Sequence, residues 1–150
     1  MIKKIISGGQ TGVDRAALDA AISLGIEHGG YCPKGRRAED GRIPDEYQLT
    51  ETTTADYSDR TERNILESDG TLIVCDGELS GGTRLTRQIA ERNNKPLLCI
   101  EIQQPILPPL FYDWIKQHSI ETLNIAGPRE SGVPGIANAT RSILLELLRN

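Results

Sequence analysis

The stretch KKIISGGQTGVDRAALDAAISLG, residues 3–25, decides the fold. KKIIS (3–7) is a short apolar run and reads as a first strand. Residues 12–24 place Val13, Ala17, Leu18, Ala21 and Ile22 on one face of a 3.6-residue period, and Gly25 stops that helix. A strand, a glycine-rich turn and an amphipathic helix form the opening half of a βαβ unit.

The alternation continues outward from there. YC (31–32) reads as a short strand. GTLIVC (70–75) and PLLCIE (96–101) are nearly continuous apolar runs, the pattern of strands buried on both faces of a parallel sheet. ETLNIA (121–126) is the last strand. Helices are expected over 59–68, 83–93, 110–118 and 135–148. Asp59 caps the first of these, with Glu62 three residues on. Ile136, Ala139, Ile143, Leu144 and Leu147 form the core stripe of the last. Strands separated by helices imply right-handed crossovers. The expected fold is therefore α/β: a three-layer Rossmann-like arrangement with a mainly parallel sheet of about five strands and helices on both faces, in one domain spanning 1–150.

Composition narrows the function. At 150 residues with 37% hydrophobic content, the chain can build a core without disulfides or a structural metal. A net charge of −4 argues against a nucleic-acid or anionic-membrane binder. Twelve of its 17 basic residues are arginine, whose fork suits carboxylate or phosphate, or which simply solvate the surface. Cys32, Cys75 and Cys99 have no metal-ligand spacing, and Cys75 and Cys99 lie in apolar runs as buried, reduced thiols do. No run approaches the ~20 apolar residues of a membrane span, and the N-terminus lacks a signal peptide's apolar stretch. A cytoplasmic protein is expected.

Three turns carry the candidate chemistry. They are Ser7-Gly8-Gly9-Gln10-Thr11-Gly12-Val13-Asp14, Asp76-Gly77-Glu78-Leu79-Ser80-Gly81-Gly82-Thr83, and Ala126-Gly127-Pro128-Arg129-Glu130-Ser131-Gly132. Ligands of an open parallel sheet bind beyond the carboxyl ends of its strands. Glycine lets the backbone approach a phosphate, and the following helix offers free N–H groups and a positive dipole end. Thr11, Thr83 and Ser131 supply hydroxyl donors. In a plainer reading each glycine is only turn geometry.

The polar segment CPKGRRAEDGRIPDEYQ (32–48) has no periodicity, and a structureless loop of that length in a compact domain is functional or disordered. Lys34, Gly35 and Arg36 could fold over an anion as a lid, or be solvated. Arg60, Thr61 and Asn64 share one side of the next helix, where Arg60 either reaches back toward the strand ends or stays in solvent. Asp14 either complements its helix dipole or reads a ligand's ribose or ring N–H. No nucleophile–base pair is evident: His28 and His118 lie away from all three turns. Phe111 and Trp114 suit a core or an oligomer contact.

The stretches SGGQTGVDRAALDAA, GGYCPKGRRAEDGRIPDEY, YSDRTERNILESDGTLI, SGGTRLT and LNIAGPRES resemble the family described as "putative molybdenum carrier", across nearly the whole chain. That family is similar to Rossmann-like proteins that include the lonely-guy-type phosphoribohydrolases and the molybdenum cofactor carrier of algae. The resemblance implies a homodimer or tetramer and phosphate binding at Gly8, Gly9, Gly12, Gly81, Gly82 and Thr83. The hydrolases' PGGxGTxxE turn ends in a catalytic glutamate; aligned on Gly82-Thr83, its place here is Thr86, which cannot act as a carboxylate acid or base. The expected function is a binding or carrier protein for a phosphorylated small molecule, such as molybdenum cofactor or a related nucleotide or pterin. The alternatives are a nucleotide-processing hydrolase or transferase using Asp14, Glu39, Asp40 or Glu62, and a nucleotide-sensing module. The expected ligand contacts are Gly8, Gly9, Gln10, Thr11, Gly12, Asp14, Lys34, Gly35, Arg36, Arg60, Thr61, Asn64, Gly81, Gly82, Thr83 and Arg129.

Overall fold

The computed structural model describes residues 1–149. In chain order the elements are β1 (Lys4–Ile6), α1 (Val13–Leu24), β2 (Glu27–Gly29), β3 (Tyr31–Cys32), β4 (Arg37–Ala38), β5 (Gly41–Arg42), β6 (Thr50–Glu51), α2 (Tyr57–Leu66), β7 (Gly70–Cys75), α3 (Gly81–Arg92), β8 (Leu97–Glu101), α4 (Pro108–Gln117), β9 (Thr122–Ala126) and α5 (Ile136–Leu148). Five strands form one parallel sheet in the order β2-β1-β9-β7-β8.

Strand alternation sorts the side chains onto two faces. Ile5, Leu72, Val74, Leu123 and Ile125 pack with Val13 and Ala17 of α1, Phe111 and Ile115 of α4, and Ile136 and Leu144 of α5. On the opposite face α2 and α3 meet through Ile65, Ile89 and Ala90. The result is a three-layer, Rossmann-like α/β fold.

The chain moves outward from β1 to β2 through α1, and outward in the other direction from β7 to β8 through α3. Right-handed crossovers running in opposite directions put their helices on opposite faces. The direction therefore changes around β1, β9 and β7. A crevice opens there above the carboxyl ends, because the helices on either side diverge.

Several local expectations are corrected. The fifth strand of the sheet is Glu27–Gly29, a polar edge with no apolar signal. Tyr31–Cys32 instead pairs with Thr50–Glu51 in a separate ribbon. α2 begins at Tyr57 and is capped by Asp56, whose carboxylate accepts from the Ser58 N–H, so Asp59 lies inside the first turn. PLLCIE is an edge strand: Cys99 is exposed and only Ile100 is fully buried, while Cys32 and Cys75 are buried free thiols. Phe111 lies in the core, one of its two expected places, with Trp114 partly buried against that core; Leu107, Leu110 and Tyr112 are the exposed large hydrophobics near α4. Among the described residues no helix is long and apolar enough to cross a membrane.

The segment 32–48 is ordered, and its anchor is buried. Arg36 Nε donates to the carbonyl of Ile43 (3.1 Å), and its Nη2 donates to those of Pro44 (2.7 Å) and Tyr47 (2.8 Å). Ile43 and Tyr47 pack with Leu18 and Cys32 in a small core of their own. A guanidinium with three carbonyl acceptors is committed to holding the loop's shape. The segment is thus a strap with its own hydrogen-bonded anchor, and the Arg36 guanidinium is turned into it.

Gly12 shows how tightly the first turn is built. Its φ is +80°, and a Cβ there would lie 2.4 Å from the carbonyl oxygen of Pro128. Gly12→Ala should therefore lower stability by at least about 2 kcal/mol, the sum of left-handed backbone strain and collision with the β9–α5 turn. Urea unfolding measures this; an unchanged midpoint would mean that the two turns do not touch.

Candidate functional site

A cleft of about 320 Å³ lies on the α2/α3 side of the sheet at the direction change. Its walls come from the β1, β7 and β9 turns, from α2, and from the first two turns of α3. Of the expected contacts it gathers Gly8, Gln10, Asp14, Arg60, Thr61, Asn64, Gly81, Gly82, Thr83 and Arg129. Gly9, Thr11, Gly12, Lys34, Gly35 and Arg36 do not line it.

The N-termini of α1 and α3, both at this end of the sheet, differ. At α1 most N–H groups of the turn and of the first helical residues meet protein acceptors. The Gln10 N–H donates to Asp14 Oδ2 (3.2 Å), the Thr11 N–H to Gln10 Oε1 (3.0 Å), and the Val13 N–H to the Pro128 carbonyl (3.2 Å). Asp14 also supplies the negative charge that the dipole favours. At α3 the Ser80 side chain makes no capping bond, and the first turn holds no acidic residue. The Gly81 and Gly82 N–H groups have no acceptor among the described residues. A Cβ added at Gly82 would meet nothing within 4 Å. Neither packing nor backbone angle requires glycine at 82.

Arg60 crosses the mouth of the cleft. Its Nη1 lies 2.9 Å from Asp14 Oδ2, and the two side chains are 13% and 5% exposed. A Cβ on Gly8 would sit 1.5 Å from that nitrogen, so Gly8 is the slot through which the guanidinium passes. The guanidinium also lies over the Tyr57 ring at 5.6 Å, and its Nε is buried without a partner. Burial pushes the Asp14 carboxyl up from its ordinary value, and the Arg60 guanidinium opposes that shift.

Other expected contacts have structural work. The Asn64 amide is committed to the backbone of Tyr31, accepting its N–H (2.8 Å) and donating to its carbonyl (3.0 Å). Thr61 donates to the Tyr57 carbonyl within α2 (2.9 Å), and Thr86 to that of Gly82 within α3 (2.9 Å). Lys34 is exposed on the strap, and the Gly35 N–H donates to Glu51 (2.6 Å). Cys75 lines the cleft as a thiol pushed up to about 11 by burial and by the neighbouring Glu101 carboxylate, which favours the neutral form. Sequence reasoning missed Tyr57, Asn124, Asp76 and Glu78. Tyr57 fell outside the predicted helix, whereas Asn124 was visible as the one amide in an apolar run.

The strap is pinned to the site by carboxylates. Glu39 accepts from the hydroxyls of Thr11 and Ser131 and from the Ser131 N–H (3.2 Å), while Asp40 holds Arg15 at 2.5 Å. These bonds joining the strap to the first and third turns explain why Glu39 and Asp40 are not free for chemistry.

The chain matches the circularly permutated YpsA family of the SLOG group over residues 5–148. It belongs to that family. Its N-terminal and C-terminal strands, β1 and β9, are neighbours in the sheet, the arrangement that allows a chain to be permuted without moving a strand. It is also similar to a crystal structure of a "putative molybdenum carrier protein" from Syntrophus aciditrophicus SB. The identity is 52%, the TM-score is 0.93, and the match covers 99% of this chain and 96% of that one. No curated protein matches the chain.

Two outcomes follow from these contacts. Arg60→Ala strands the buried Asp14 carboxylate and should cost about 3–5 kcal/mol at pH 8. A carboxyl whose folded pKa is raised stabilises less as pH rises, so the loss should be smaller at pH 5 than at pH 8. Equal losses at both pH values in denaturant titrations would contradict the pairing. For Glu39 the sign is opposite. Hydrogen bonds from Ser131 and Thr11 hold its carboxyl below the ordinary 4.5. Its contribution is complete above that value and fades as pH falls toward the lower folded one. Hydrogen exchange of the strap should accelerate in that acid range, and Glu39→Gln should remove this pH dependence.

Proposed function

We propose that this protein binds and carries a phosphorylated small molecule, with the phosphate seated on the N-terminus of α3. The observation that carries the reading is the acid-free first turn at Gly81 and Gly82, open to the cleft and lacking any protein acceptor for its N–H groups. A positive helix end with exposed N–H groups is a ready anion site. Arg60, held in place by Asp14, and Arg129, which also lines the cleft, add positive charge at the rim.

Molybdenum cofactor, a phosphorylated pterin, is one cargo that these residues fit, and a nucleotide is another. Both combine a phosphate with a flat ring for which Tyr57 offers an aromatic face. Among the described residues no group of three or more His, Cys, Asp or Glu could hold a metal ion. A metal carried on the cargo's own donor atoms needs none. The likeness to a protein named as a molybdenum carrier supports the same reading.

The competing hydrolase or transferase reading needs a carboxylate facing the ligand. Glu39, Asp40 and Glu62 do not line the cleft, so the candidates become Asp14, Asp76 and Glu78. Release of base from a nucleoside monophosphate, abolished by Asp76→Asn or Glu78→Gln, would replace the carrier reading.

Titration calorimetry with AMP, ribose 5-phosphate and a pterin phosphate tests the seat itself. Gly82→Ala should weaken the binding of each at least tenfold. Its stability should be unchanged or up to about 1 kcal/mol higher, since alanine suits a helix better than glycine. Undiminished binding in Gly82→Ala would remove α3 from the site.

A further inference from the structure

The floor of the cleft contains an amide that the fold does not need. β9 alternates Leu123 and Ile125 into the core with Thr122, Asn124 and Ala126 toward α2 and α3. Asn124 is 3% exposed and occupies the middle of the central strand, a position that disfavours asparagine. Ala126, at the end of the strand, and Asn124 both line the cleft. The cleft thus reaches inward two residues from the strand's end, about 7 Å along it.

An asparagine amide has two N–H donors and a carbonyl with two lone pairs. Asn124 spends one N–H on the Thr71 hydroxyl of β7, at 3.2 Å, and this is its single side-chain hydrogen bond among the described residues. Thr71 is fully buried and its register partner is Asn124 itself, so the pair is fixed across adjacent strands. Burying an amide that uses a quarter of its capacity costs stability, and an apolar side chain would fill the same space without that cost. The Asn124 carbonyl and second N–H are what remain to face the cleft.

We propose that Asn124, positioned by Thr71, selects the ligand's ring by pairing with its hydrogen-bonding edge. This rests on the reading of the cleft as a phosphorylated-ligand site and adds where discrimination resides. An adjacent donor and acceptor on one amide match the donor–acceptor edge of a fused nitrogen heterocycle, as in an asparagine contact to adenine. Purines and pterins share that chemistry. The phosphate on α3 fixes one end of the ligand, and Asn124 reads the other.

The test measures affinities of the whole protein for AMP, GMP, 6-hydroxymethylpterin phosphate and ribose 5-phosphate, in the wild type, Asn124→Ala and Asn124→Asp. At least one ringed ligand should bind ten or more times tighter than ribose 5-phosphate to the wild type. Asn124→Ala should reduce that advantage to within threefold while leaving ribose 5-phosphate affinity unchanged. Asn124→Asp offers only acceptors when ionised, so the GMP-to-AMP affinity ratio should rise at least tenfold. A purely structural amide would not move that ratio, because the phosphate is common to both ligands. Equal binding of ribose 5-phosphate and every ringed ligand to the wild type overturns this proposal and leaves the phosphate seat standing. Unchanged preferences in both variants, with folding verified by thermal melts, overturn it as well. Failure of all four probes to bind the wild type removes the phosphorylated-ligand reading and this proposal with it.

Discussion

The organisation of this end of the molecule depends on the buried ion pair between Asp14 and Arg60. Asp14 sits in the first turn of α1, and Arg60 sits on α2, which covers the other face of the sheet. Their contact passes over the carboxyl end of β1, through the gap that Gly8 leaves. Removing two charges from water is costly, and the mutual attraction offsets that cost only where the geometry is good and further hydrogen bonds are made. Here Asp14 also accepts the Gln10 N–H, so one carboxylate shapes the first turn, satisfies α1 and anchors α2.

That pair assigns different roles to similar glycine turns. With Asp14 in its first turn and Gln10 folded back on it, the α1 terminus carries its own negative charge and is covered by protein. The β9 turn closes over it, with the Pro128 carbonyl accepting from Val13 and the Glu130 N–H donating to Thr11 (3.1 Å). The α3 terminus has none of this. An unsatisfied helix end exposed to a cleft is tolerable in water and favourable under an anion. The asymmetry gives the cleft three different walls: unpaired N–H groups at α3, the guanidinium groups of Arg60 and Arg129, and an amide at its floor.

The strap over residues 32–48 is the other consequence of buried polar chemistry. Its regular elements are only two-residue strands, yet it is held in place because Arg36 satisfies three of its carbonyls at once. Glu39 and Asp40 then tie it to α1 and to the third turn. An arginine in a loop can therefore be a scaffold instead of a ligand contact, and the distinction lies in what its five donors meet.

Apolar periodicity alone determined the α/β class, the parallel sheet, four of its five strands, and all five helices to within a few residues. Those features follow from local patterns of burial that recur every two or 3.6 residues. The polar β2 edge carried no such pattern and was legible only through its pairing with β1. The site was partly legible. Glycine turns after strands pointed to the end of the sheet where the cleft opens, and Gly81, Gly82, Thr83 and Arg60 do line it. Which turn remains free, whether Arg36 meets carbonyls or solvent, and what faces Asn124 are set by residues dozens of positions away in the chain. A hydrogen bond is satisfied in space, and sequence spacing carries no record of partners that only the packed fold brings within 3 Å of each other.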